Sequence, residues 1–179
     1  MTNTDFRTAM QEEFRLTVSD LPNDLLDRYF AQACDYILNE ILKSENIGDT
    51  PIVDIYTHTT TNADAQMLEP TDKILWIDNT IQYGDGTDIV IIRKGDMAEV
   101  ILNKDIKLLL SNLPSKFALK DFNSIAVDMV LPASDTITWK GIKETTAIIK
   151  IQTVGNFDNV IYEQGKMLVS KFLNLYARG

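Results

Sequence analysis

The chain has 179 residues, 45% hydrophobic and 24% charged, with a formal net charge of -9 and a pI near 4.5. That length suits one respectable core. No apolar run approaches the roughly 20 residues needed to cross a bilayer, and the acidity disfavours general adhesion to phosphate backbones or anionic lipid. A single cysteine, Cys34, and a single histidine, His58, exclude an internal disulfide and leave a zinc site short of soft ligands.

The first residues lack a basic region followed by an apolar core, so a soluble protein made in the cytoplasm is expected. Phe6, Met10 and Phe14 recur at helical spacing and predict a short amphipathic helix over 5–16, with Glu12 and Glu13 on its wet side. At Ser19-Asp20-Leu21-Pro22-Asn23, hydroxyl and carboxylate side chains offer caps and the proline suits the first turn of a second helix, which runs to about Ser44. Its stripe of Leu26, Phe30, Ala33, Ile37 and Ile41 is widened by Leu25, Tyr29, Cys34, Leu38 and Leu42, which predicts packing on more than a narrow face.

Past Ile47-Gly48-Asp49-Thr50-Pro51 the period changes to alternation. Ile52 to Tyr56 reads as a strand. The polar run that follows predicts an exposed loop over 57–66, whose Thr57, His58, Thr59, Thr60, Thr61 and Asn62 are candidate partner-docking residues. A meander is expected next: Lys73 to Ile77, Thr80 to Tyr83, Asp88 to Arg93 and Met97 to Leu102, with turns at Gly84-Asp85-Gly86 and Lys94-Gly95-Asp96. Lys104 to Asn123 reads as a short helix or turn stopped by Pro114. Ile125 to Leu131 and Thr136 to Trp139 read as strands, and the dense β-branched residues of Thr145 to Val154 predict a half-buried strand. After the turn at Gly155 to Asn159, the residues Phe157, Ile161, Leu168, Phe172, Leu175 and Tyr176 predict a long terminal helix. Gly165 inside it costs about 1 kcal/mol relative to alanine, which points to a close approach by another backbone and makes it a candidate subunit contact.

These elements predict an α+β fold in which N-terminal helices and a C-terminal helix pack with a central, mostly antiparallel β-rich region. The chain reads as a single domain over 1–179: helical over 1–46, β-rich over 50–154 and helical again over 156–178.

Motifs that carry chemistry are missing. His58 sits among threonines and Cys34 on the apolar side of a helix, and no nucleophile elbow or oxyanion motif accompanies them. Gly84-Asp85-Gly86-Thr87-Asp88 lacks the spacing of a calcium loop, whereas Asp-Gly between alternating segments is what a hairpin turn needs. No glycine pattern joins a strand to a helix as a phosphate cradle would. Arg93, Lys94 and the lysines at 104, 107, 116 and 120 are interspersed with aspartates and do not form a nucleic-acid stripe. Trp76 and Trp139 each fall in a strand and read as core. No enzyme activity, cofactor or metal is expected.

The helix Leu25-Leu26-Asp27-Arg28-Tyr29-Phe30-Ala31-Gln32-Ala33-Cys34-Asp35-Tyr36-Ile37, the inserted β-rich region and the final helix with Tyr162-Glu163-Gln164-Gly165-Lys166-Met167-Leu168-Val169 together resemble the head-to-tail connector, or adaptor, proteins of tailed bacteriophages. The resemblance lies in the order of elements. It implies a homo-oligomeric ring of around a dozen copies beneath the portal protein, contacting tail or neck proteins, in a virion assembled in a bacterial cytoplasm. Genomic DNA would pass through the ring without specific binding, and no membrane is involved. The expected strand, turn and helix over Ile148 to Leu173 is also similar to tail-terminator proteins, which implies instead a ring closing the tail tube. The two helices before residue 44 set the chain apart from the terminators, and the long β region sets it apart from the smallest connectors. A reading of another class is a small ligand-binding or hydrolytic domain built on dispersed carboxylates and the two tryptophans.

Overall fold

The computed structural model describes residues 1–61, 65–68, 72–102, 113–122 and 124–177, with 65–68 described by backbone alone. The protein is α+β, with helices at both ends of the chain and a mostly antiparallel sheet between them. It divides into two compact units, Met1–Ile52 with Thr146–Gly179, and Val53–Thr145.

In the helical unit, α1 (Asn3–Phe14) starts at a capping box: Thr2 Oγ1 accepts from the Asp5 backbone N–H at 3.2 Å, and the Asp5 carboxylate accepts from the Thr2 N–H at 3.1 Å. It stops at Arg15, whose φ of 54° breaks the helical path. The second helix, α2 (Asn23–Leu42), has Pro22 at its N-cap, so the proline lies one position outside the helix, and Asp20 caps the preceding turn at Thr17 instead. Leu26, Phe30, Ala33, Cys34, Ile37 and Leu38 are buried, the widened stripe that the sequence predicts. Phe6 and Phe30 join α1 to α2 with ring centroids 5.4 Å apart. Beside them Arg7 donates twice to the Asp27 carboxylate, at 2.5 Å each.

The expected strand at 145–154 is a helix. Glu144–Thr153 buries Ala147 and Ile151, one helical turn apart, while Ile149, which alternation would place beside them, is 53% exposed. We label it α4. The β-branched residues carry a weak local preference, and the packing of one helical stripe overrides it. The terminal helix α5 (Asp158–Tyr176) buries Ile161, Gly165 and Val169, with Leu175 and Tyr176 exposed rather than packed.

The second unit is a seven-stranded sheet in the order β1-β7-β3-β4-β5-β6-β2. Its strands are β1 (Asp54–Thr59), β2 (Ala65–Leu68), β3 (Ile74–Gly84), β4 (Ile89–Lys94), β5 (Lys116–Lys120), β6 (Ser124–Leu131) and β7 (Thr136–Lys143). All pairings are antiparallel except β4 with β5. The two strands expected at 73–77 and 80–83 are one long β3, whose register against β7 shifts between Ile77 and Ile81. Residues 116–120, expected as helix or turn, form β5; most of the rest of that segment, 104–112 and 123, lies outside the described residues.

Residues 97–102, expected as a strand, are helical (α3). Asp96 Oδ1 accepts from the Ala98 N–H at 2.8 Å, and Val100 packs with Ala118 and Ala126. The spacing Asp96-Met97-Ala98-Glu99 is the carboxylate-x-x-Glu signature of a helix start.

Strand order and chain connectivity together force this sheet to curl. The edge strands β1 and β2 are consecutive, and the six steps from Thr59 to Ala65 reach at most about 22 Å, whereas the outer members of seven flat strands stand about 29 Å apart. Ile77, Ile81, Ile92, Phe117, Val127 and Trp139 lie on the enclosed side in one buried cluster.

The turn between β3 and β4 forms as expected for Asp-Gly: Asp85 Oδ1 accepts from the N–H groups of Thr87 and Asp88, each at 2.8 Å, and Gly86 has φ 89°. No atom would obstruct a Cβ on Gly86, so Gly86→Ala isolates the backbone effect. A loss of about 1–2 kcal/mol is expected, read as a lowered urea midpoint.

Candidate interaction surfaces

The stretch expected as the docking loop is largely part of the sheet. Thr57, His58 and Thr59 lie in β1, paired with Thr138, Ile137 and Thr136 of β7, and Thr57 Oγ1 and Thr138 Oγ1 share a hydrogen bond of 3.0 Å. Thr57 and Thr59 face solvent and His58 is half-buried.

Thr60 is buried and acts as a clasp. Its N–H donates to Asp135 O at 2.8 Å, its carbonyl accepts from the Ser134 N–H at 2.8 Å, its hydroxyl accepts from the Asp135 N–H at 3.0 Å, and the same hydroxyl donates to Pro132 O. From the end of β3, Tyr83 Oη donates to Asp135 Oδ2 at 2.5 Å. Burial, and then this bond to Asp135, raises the Tyr83 pKa above its ordinary value. Of this Thr-rich run, Thr60 alone among the described residues is buried. Thr61 is exposed, and Asn62 lies outside the described residues.

Gly165 is likewise spoken for within the chain. It is buried, and a Cβ there would fall inside the envelope of Phe6 Cε2 and Cζ and 3.4 Å from Met10 Sδ. The close approach inferred from the glycine is real, but its partner is the aromatic ring of α1 rather than another subunit's backbone.

The groups with latent chemistry are dispersed. Cys34 is buried in α2, and burial pushes its thiol up to about 11, which keeps it protonated and unreactive at neutral pH. Among the described residues, no three His, Cys, Asp or Glu side chains gather to hold a metal ion, and no helix is long and apolar enough to cross a membrane. Trp139 is in the core against Tyr56, with centroids 5.7 Å apart, and Trp76 is half-buried. On the opposite side of the sheet, a shallow depression is bounded by Ile55, Thr80, Gln82, Thr138 and Lys140. Ile55 at its edge is 74% exposed, and Ile89 and Ile91 in β4 are 76% and 63% exposed.

The helical unit carries two further features. A groove of about 280 Å³ lies among α1, α2 and α4, lined by Asn3, Phe30, Ala31, Asp35, Ile148 and Gln152, with Asp27 and Cys34 completing it. Far along α5, Leu175 and Tyr176 are 73% and 80% exposed, and Phe172 stacks on Tyr176 with centroids 6.1 Å apart. An exposed aromatic and aliphatic helix end is the kind of anchor that fills pockets at protein interfaces. Both residues belong to the apolar spacing by which the sequence predicts this helix, and neither is packed.

Fold and surfaces thus define an α+β protein whose helical unit is drawn from both ends of the chain and whose sheet unit is inserted between α2 and α4. No protein-family model matches this sequence, and no curated protein is significantly similar to it.

Proposed function

We propose that this chain is a structural subunit of a tailed-phage neck, a connector or adaptor that assembles into a ring between portal and tail and works by docking rather than chemistry. The observation that carries the reading is the insertion of the sheet unit between helices that pack together: α1, α2 and α5 associate although more than a hundred residues separate α2 from α5 in sequence. Helices, inserted β region, helix is the order on which the resemblance rests. A helical unit supplies lateral contacts, and an inserted sheet supplies a surface for the next component of the neck. With a net charge of -9, a ring lumen lined by acidic side chains lets DNA pass without adhering. The terminator alternative leaned on a strand at 145–154, and that segment is helical.

The test is the solution mass by light scattering across a concentration series, alone and with portal protein, followed by electron microscopy. The expected result is a closed ring many times the 20.2 kDa chain mass. A chain that stays monomeric under all these conditions overturns the proposal.

A further inference from the structure

We infer that the exposed end of α5 is a knob that seats in the groove among α1, α2 and α4 of a second copy, making a head-to-tail contact. The inference rests on the ring reading and names the surface that would build it.

The two surfaces stand at opposite ends of the helical unit. The Met1 ammonium donates to Gln152 O at 2.9 Å and pairs with Asp158, so α1 and α5 begin side by side. Further along, Phe6 and Met10 flank Gly165. Further still, Glu13 accepts from Tyr162 Oη at 2.8 Å and pairs with Lys166. These contacts reach α5 no later than Lys166, and α5 continues for ten residues beyond it. The groove includes Asn3, the first residue of α1. Leu175 and Tyr176 lie about 26 Å along the α5 axis from Asp158 at 1.5 Å per residue. Knob and groove of one chain therefore do not meet, and a contact between them joins two copies.

Their chemistry is complementary. Tyr176 brings a largely exposed ring whose phenol has no hydrogen-bond partner among the described residues, and tyrosine suits a site that combines apolar walls with polar groups. Phe30, Ala31 and Ile148 supply those walls.

Charge agrees as well. Lys171, one turn before Leu175 on the same face, is exposed and forms no ion pair among the described residues, and Asp35 at the groove is an exposed carboxylate equally without one. Two knobs facing each other would bring Lys171 against Lys171, and two grooves would bring Asp35 against Asp35. The charges select the knob-to-groove pairing. A contact of this heterologous kind repeats from copy to copy and closes into a ring when the rotation permits.

The experiment uses the full chain under the conditions in which the wild type assembles. Leu175→Asp spoils the knob and Ala31→Trp fills the groove; both positions are exposed, so matching far-UV circular dichroism and thermal melts are expected. Each variant alone should be monomeric by light scattering. An equimolar mixture keeps one good knob and one good groove per pair, and it should form a dimer of two chains and nothing larger. Independently, Asp35→Lys and Lys171→Asp should each abolish assembly, and the two combined in one chain should restore it. Variants that assemble like the wild type, a mixture that stays monomeric, or an exchanged pair that fails to recover would overturn this contact while leaving the ring reading intact. A wild type that never assembles overturns both.

Discussion

Gly165→Ala is expected to destabilise the helical unit by about 2 kcal/mol, although the same change in an exposed helix would stabilise by about 1 kcal/mol. The sign is the test. A methyl group at 165 overlaps the edge of the Phe6 ring, and Phe6 has no room to retreat: it is 0% exposed and wedged against Phe30. Overpacking of this kind moves backbone or forces side chains from their rotamers. Urea unfolding followed by circular dichroism measures the effect. The double change Gly165→Ala with Phe6→Leu should recover part of the loss, because the smaller side chain vacates the overlap. A stabilised single variant would mean that α1 and α5 are not held as closely as described.

The second large effect concerns the clasp of the sheet. Asp135→Ala removes the acceptor of the buried Tyr83 hydroxyl, and a buried donor left without a partner costs about 1–3 kcal/mol, toward the upper end when the lost partner is charged. Asp135→Asn keeps an oxygen for Tyr83 and should cost about 1 kcal/mol. The fall in urea midpoint should therefore follow Ala, then Asn, then wild type.

Tyr83 also gives stability a dependence on alkaline pH. Its pKa is raised above the ordinary 10.0, first by burial and then by Asp135. A group with a raised folded-state pKa contributes stability that is fully present below the unfolded value and is lost as pH rises through the folded one. Unfolding free energy should accordingly decline above pH 10, and Tyr83→Phe should flatten that decline at the cost of one hydrogen bond. An unchanged slope in the phenylalanine variant would assign the alkaline loss to other groups.

Much of the helical unit was legible in the sequence because its signals are local. Phe6 with Met10 and the broad stripe of α2 repeat at the helical period, and the Asp85-Gly86 hairpin turn follows from backbone preference alone. Gly165 announced a close approach, although nothing near it in the chain said that the visitor is Phe6, about 160 residues away. The expectation of a loop at 57–59 failed for a related reason. Threonines that look solvated in sequence pair with β7 or, at Thr60, close the sheet through Asp135, a residue 75 positions later.

By itself, then, the sequence determined the α+β class, helices at both ends, the turn at Asp85-Gly86 and the scarcity of soft metal ligands, with one cysteine and one histidine, all consequences of composition and short-range periodicity. Only the tertiary structure decided that 144–153 and 97–102 are helical, that 116–120 is a strand, that Thr60 is a clasp and that Leu175 and Tyr176 stand in solvent. Local propensities differ by less than about 1 kcal/mol per residue, while fully burying one large apolar side chain contributes about 1.5–3 kcal/mol. Where the two compete, the partner brought up from a distant part of the chain sets the outcome.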